Sequence, residues 1–207
     1  MAMAGDGWEF GLSVFENDST DGSNYWFHDN SDFWDHHSEL VVATETLRTN
    51  YHGSVVNSER VHNLAAARNR CLDAVADLSI YDRVVFVEPD VTYDPAQMLE
   101  LLSTDHDICS GYTSHPDGRF YDTWATRRQP ADEWWDGSIP EAPTPVASTF
   151  NGVCVYRADP FAEGIRFSGH SPARGSFDCD TAVICELFRD AGHDDIVMYP
   201  FRVVHYG

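Results

Sequence analysis

The run Val84-Val85-Phe86-Val87 stops abruptly at Glu88-Pro89-Asp90, and that boundary limits the folds open to this chain. Four consecutive apolar residues leave no face for water. A strand here must be covered on both sides, as in parallel sheets held between helix layers. A helical stripe precedes it. Val61, Leu64, Ala65, Cys71, Leu72 and Val75 keep helical spacing over residues 58–78, starting at Asn57 or Ser58, and Arg68 interrupts them. Beyond the acidic turn, Asp94 and Pro95 make a cap and first turn for a short helix bearing Met98, Leu99, Leu101 and Leu102.

The rest of the chain alternates in the same way. Residues 12–15 read as a strand that runs into the turn-rich loop 16–22. Further strands are expected within 39–46, 108–112 and 152–156. A helix is expected over 180–191, closed by Gly192. Residues 196–204 close the chain as one or two strands, with Pro200 limiting how central they can be. Residues 113–148, rich in Pro, Trp and charge, read as a long functional loop region. Residues 24–38 show no clean period. His36-His37 within them read as surface loop, because adjacent residues rarely aim at one ion. The pattern predicts an α/β fold in a single domain over residues 1–207, with a mostly parallel central sheet flanked by helices. Ligands of such sheets gather outside the carboxyl ends of the strands.

Charge narrows the partners. There are 34 acidic residues, 23 of them Asp, against 13 Arg and no Lys, for a formal net charge of −21. Adaptation to high salt and a GC-rich genome, which favours Arg codons, both account for the missing Lys. Either way the surface repels a polyanion such as duplex DNA. No apolar run is long enough for a membrane helix. Residues 1–10 lack the basic and apolar regions of a signal peptide. Five cysteines with no CxxC pair fit a reduced thiol set, so a cytoplasmic setting is expected. Nucleotidyl transfer would want a Gly-rich phosphate loop, and none is evident.

Glu88 and Asp90 carry the strongest chemical signal. Two carboxylates this close repel and raise each other's pKa unless a cation lies between them. A hard divalent ion would resolve this and take its remaining ligands from substrate phosphates. An ordinary polar strand end followed by a turn is the plain structural alternative.

Other segments extend the pattern. Ala67-Arg68-Asn69 precede the acidic strand by one helix, and Ser13-Val14-Phe15-Glu16 leads into Asn17-Asp18-Ser19-Thr20-Asp21-Gly22-Ser23. Phe120-Tyr121-Asp122-Thr123-Trp124, Phe150-Asn151-Gly152-Val153 and Asp178-x-Asp180 follow in order. Together they resemble glycosyltransferases of the GT-A fold and, among them, the fungal capsule-associated α-1,3-mannosyltransferase family, over roughly residues 11–207. The resemblance implies a metal-dependent enzyme that moves a hexose, with mannose as one candidate, from a GDP- or UDP-linked donor to a carbohydrate or other hydroxyl. It implies Mn2+ or Mg2+ held by Asp90, by Glu88 through water, and by His205. Glu16, Asp18 and Asp21 would lie near the nucleotide, and Arg68 would orient the acidic loop or a phosphate. Asp180 would be the general base of an inverting reaction or would position the acceptor in a retaining one, with Asp178 as the second candidate. Asp122 and Trp124 would border the sugar, and Asn151-Gly152 would bring backbone close to it. Relatives begin with another strand and helix, so that first unit is expected to be shortened or missing. Two other readings stay open. One is a non-catalytic nucleotide-sugar or carbohydrate-binding module; the other is a transferase acting on a modified nucleic-acid base, which would need Arg127-Arg128 as a local basic strip. The oligomeric state is left open.

Overall fold

The computed structural model describes residues 7–29, 39–50, 52–53 and 55–206. His36-His37 lie outside the described residues. The elements follow the expected alternation, starting with β1 (Gly11–Asn17), α1 (Ser23–Asp29), β2 (Glu39–Glu45) and α2 (Ser58–Asp73). Next come β3 (Arg83–Val87), β4 (Val91–Thr92), α3 (Pro95–Leu102) and β5 (Ile108–Ser114). Residues 115–152 contain only the two-residue strands β6 (Arg127–Arg128), β7 (Glu133–Trp134) and β8 (Thr144–Pro145). The chain ends with β9 (Val153–Arg157), α4 (Asp159–Ala162), β10 (His170–Ser171), β11 (Ser176–Phe177), α5 (Asp180–Asp190) and β12 (Ile196–His205).

The central sheet is mixed, which corrects the expectation of a mostly parallel one. Its order is β3-β9-β5-β12-β4, with β8 also pairing β12. Only β5 and β12 run parallel, whereas β9 is antiparallel to both β3 and β5. The parallel pair β1–β2 forms a separate two-stranded sheet. The apolar run in β3 did require cover on both faces. Val84 and Phe86 pack on one cluster and Val85 on the other. Cover on both faces does not set strand direction, and here an antiparallel neighbour lies between β3 and β5.

Alternation along β9 shows how the two faces are built. Cys154 and Tyr156 enter a cluster with Phe161, Phe167 and Phe188, while Val153 and Val155 pack with Met98, Leu101 and Leu102 of α3. α3 starts where its cap predicted, because Asp94 accepts from the Ala96 amide at 2.9 Å. α2 starts in the same way, with Asn57 accepting from the Arg60 amide at 3.1 Å. It ends at Asp73, short of residue 78, and the chain turns into a 3-10 segment at Leu78–Ile80 that Asp77 caps. β12 is more central than Pro200 suggested, lying between β5 and β4. A register shift between Met198 and Arg202 absorbs the proline, which has no N–H for the ladder. No helix among the described residues is long and apolar enough to cross a membrane.

Candidate active site

A cavity of about 280 Å³ opens where β5 and β12 finish, beside the turn that follows β3. Thr113, His205 and Glu88 reach it from those three places, and the amino end of α5 adds Asp180. Ligand sites outside strand carboxyl ends are expected of such sheets, even though this one is mixed.

Arg68 organises the wall. From the middle of α2 its guanidinium forms a short contact with Asp180 and a 3.0 Å bond to Glu88. It lies over the Phe150 ring at 4.8 Å and near Phe167 at 5.7 Å. The break in the apolar stripe of α2 is therefore a sheltered, doubly paired cation. Burial works against its charge, but Asp180 and Glu88 outweigh that and raise its pKa. Burial pushes the Glu88 carboxyl up to about 7 against the pull of Arg68, with Asp122, Asp90 and Asp180 adding to the rise. Burial likewise raises Asp180, opposed by Arg68, and raises Asp122, opposed by the amide of Asn151. Arg68 and Arg60 share the cavity with three carboxylates, Glu88, Asp122 and Asp180, so its ionised lining keeps a small acidic excess.

Glu88 and Asp90 take different partners. Pro89 turns the chain just past β3, so Glu88 points to Arg68, whereas Asp90 meets His205 at 3.0 Å. His205 is buried, stacks on Tyr121 at 3.9 Å, and leaves Nδ1 without a partner. Among the described residues no group of three or more His, Cys, Asp or Glu could hold a metal ion. Asp90 and His205 nonetheless fit as two ligands of a hard ion. Neighbouring ligands on an octahedral ion with bonds of about 2.1 Å lie roughly 3 Å apart, and such ions draw their other ligands from water and substrate phosphates.

Behind the cavity the remaining polar groups position one another. One Asp178 oxygen accepts from Arg127 at 2.7 Å, Trp124 Nε1 at 3.1 Å and the Cys179 amide at 2.8 Å. Its other oxygen pairs with Arg174 at 2.9 Å. Asp178 is therefore committed to holding Trp124 and the start of α5. Asn151 is fully buried: its amide donates to Asp122 and its side-chain oxygen accepts from the Thr113 amide. Gly152 does line the cavity. Its φ of +68° and a Cβ position only 2.8 Å from Val91 Cγ1 leave room for nothing larger.

The loop after β1 lies elsewhere. Asp18 accepts from the Arg48 and Thr49 amides, and Asp21 accepts from Ser23 at the start of α1. Glu16 is different. It is buried, one oxygen accepts from the Ser19 amide, and the other has no partner. It lines a second, largely apolar cavity of about 630 Å³ between β1, α2 and β3. The basic strip that nucleic-acid contact would need is not formed. Arg127 is fully buried on Asp178, and Arg128 pairs with Asp136.

Arg60, Thr113 and Trp134 line this cavity and were not singled out in the sequence, and Tyr121, which lines it too, stood there only as part of the Phe120–Trp124 segment. Arg60 had a legible signal, since it stands eight residues before Arg68 on the same helical face. Trp134 had none beyond lying in the Trp-rich segment.

No curated protein matches the chain. The family model for cryptococcal mannosyltransferase 1 matches residues 8–190, a span that takes in Arg68, Glu88, Asp90, Asp122 and Asp180. With that match extending over most of its length, the chain belongs to the cryptococcal mannosyltransferase 1 family.

Proposed function

We propose that the protein is an active glycosyltransferase of the GT-A type, moving mannose from a nucleoside-diphosphate donor, GDP- or UDP-linked, to a hydroxyl acceptor. The observation that carries this reading is Arg68 bound to both Glu88 and Asp180 in the wall of one cavity, beside Asp90 and His205. Asp90 and His205 would hold Mn2+ or Mg2+, whose positive charge favours departure of the nucleoside diphosphate. A cavity with an acidic excess accepts a diphosphate more readily with a divalent ion bound.

Asp180 stands at the amino end of α5 with its proton affinity raised. In an inverting reaction it takes the proton of the acceptor hydroxyl; in a retaining one it holds that hydroxyl in place. Arg68 fixes the Asp180 carboxylate and, already shared by two anions, orients acidic groups rather than phosphate. Asp122 and Trp124 border the sugar. The unpartnered Glu16 oxygen, in its apolar cavity, is suited to an N–H of a base or a ribose hydroxyl, while Asp18 and Asp21 shape the loop around it. The five cysteines form no CxxC pair, and on that pattern we place the protein in a reducing, cytoplasmic setting.

A panel of GDP- and UDP-sugars with titrated Mn2+ and Mg2+ tests the proposal. Metal-dependent transfer or hydrolysis is expected, with Asp90→Ala and His205→Ala each losing about 100-fold or more in kcat/KM. Unchanged activity in Asp90→Ala would remove the metal site. Tight donor binding without turnover would instead favour the non-catalytic module.

A further inference from the structure

The mouth of the catalytic cavity carries a group of side chains that the reaction centre does not use. Val55, Val56, Arg60 and Trp134 line it, and both valines and Trp134 are exposed. Trp134 belongs to the β6–β7 hairpin and pairs in register with Arg127. The Arg127 guanidinium lies 5.8 Å from the centre of the Trp134 ring, and Trp124 tilts against that ring at 6.3 Å. Arg127 is fully buried whereas Trp134 is 53% exposed, so the exposed surface is the side turned away from Arg127. The indole is thus anchored from behind and open in front.

Arg60 supplies the complementary feature. Its guanidinium makes no hydrogen bond or ion pair among the described residues. It shares one face of α2 with Leu64 and Arg68, about 12 Å from Arg68 along the axis at 1.5 Å per residue. It lines the same cavity as Asp180, the group proposed to handle the acceptor hydroxyl. Arg68 is neutralised by two carboxylates, so among the described residues Arg60 is the cavity-lining guanidinium with unspent donors.

We propose that Trp134 and Arg60 form the acceptor subsite, where a neutral pyranoside stacks on the open indole face while the Arg60 fork donates to a vicinal pair of its hydroxyls. The inference rests on the transferase reading above. A flat apolar ring against the C–H face of a sugar, beside a planar fork of donors, matches the two-sided chemistry of a pyranose. The acceptor is neutral because the three carboxylates nearby and the net charge of −21 oppose an added anion.

Steady-state kinetics with methyl α-D-mannopyranoside, methyl α-D-glucopyranoside and the corresponding methyl glucuronide provide the test. Trp134→Ala and Arg60→Ala should each raise the acceptor KM about tenfold, while donor KM and acceptor-independent donor hydrolysis stay within about twofold. Trp134→Phe should keep most of the acceptor affinity. A rise in donor KM instead, an unchanged acceptor KM, or preference for the glucuronide over the glucoside would overturn the proposal. If no donor turns over, the transferase reading fails on its own, and NMR titration with methyl α-D-mannopyranoside judges the subsite. Shifts of the Trp134 indole resonance, identified by Trp134→Phe, would support it; absence of binding would overturn it.

Discussion

Glu88 shows how one carboxylate reports on the balance within the site. Burial raises it from 4.5 to about 7 even though Arg68 pulls the other way. The folded protein therefore holds a proton here that the unfolded chain has lost, and stability must fall as pH rises through that window. The contribution is fully present below the unfolded value and gone above the folded one. A third of the Glu88 side chain reaches solvent, so the effect is discounted to about 1 kcal/mol, or roughly 2–4 °C in Tm for a chain of this size. Thermal melts in chelator should show the native protein losing stability relative to Glu88→Gln as pH rises from about 4.5 to about 7. A gain over that range would mean that attraction to Arg68 outweighs burial.

At the scale of elements, the β5–β12 contact depends on a missing side chain. A Cβ at Gly111 would stand 2.3 Å from the Phe201 carbonyl oxygen, next to the register shift that accommodates Pro200. The obstacle is backbone and cannot rotate away, so Gly111→Ala should cost about 1–3 kcal/mol in urea unfolding, the usual range for overpacking. An unchanged midpoint would show that the shift is soft. Elements of this kind were legible in part. The starts of α2 and α3 could be read because Asn57 and Asp94 act on their own next residues, and the strands because their apolar runs are local. Pairing was not legible: β9 reaches β3 and β5 only after residues 115–152, and nothing in its five residues fixes direction. The site followed the same rule. Glu88 and Asp180 could be found at a strand end and a helix start. Their shared partner was less plain, because Pro89 separates Glu88 from Asp90 and Arg68 arrives from a helix twenty residues away.

For the whole molecule the question is whether surface charge stabilises or strains the fold. Several ion pairs are exposed on both sides, among them Arg119–Asp117 and Arg157–Asp159, and such pairs contribute about 0–1 kcal/mol each. The sheltered pairs Arg68–Asp180 and Arg127–Asp178 are screened little by salt. Opposing them is the mutual repulsion of carboxylates that 13 arginines leave unmatched at a net charge of −21. Raising the salt from about 0.1 M to 1 M shortens the screening length from about 10 Å to 3 Å. That suppresses the long-range repulsion and removes little from pairs in contact. Tm should therefore rise by several degrees in KCl, measured by differential scanning calorimetry, and an equal osmolality of a neutral solute should not reproduce the full rise. A fall in Tm would mean that the exposed pairs outweigh the repulsion. A high-salt habitat would then explain nothing about the fold, and the absence of lysine would need no cause beyond codon usage.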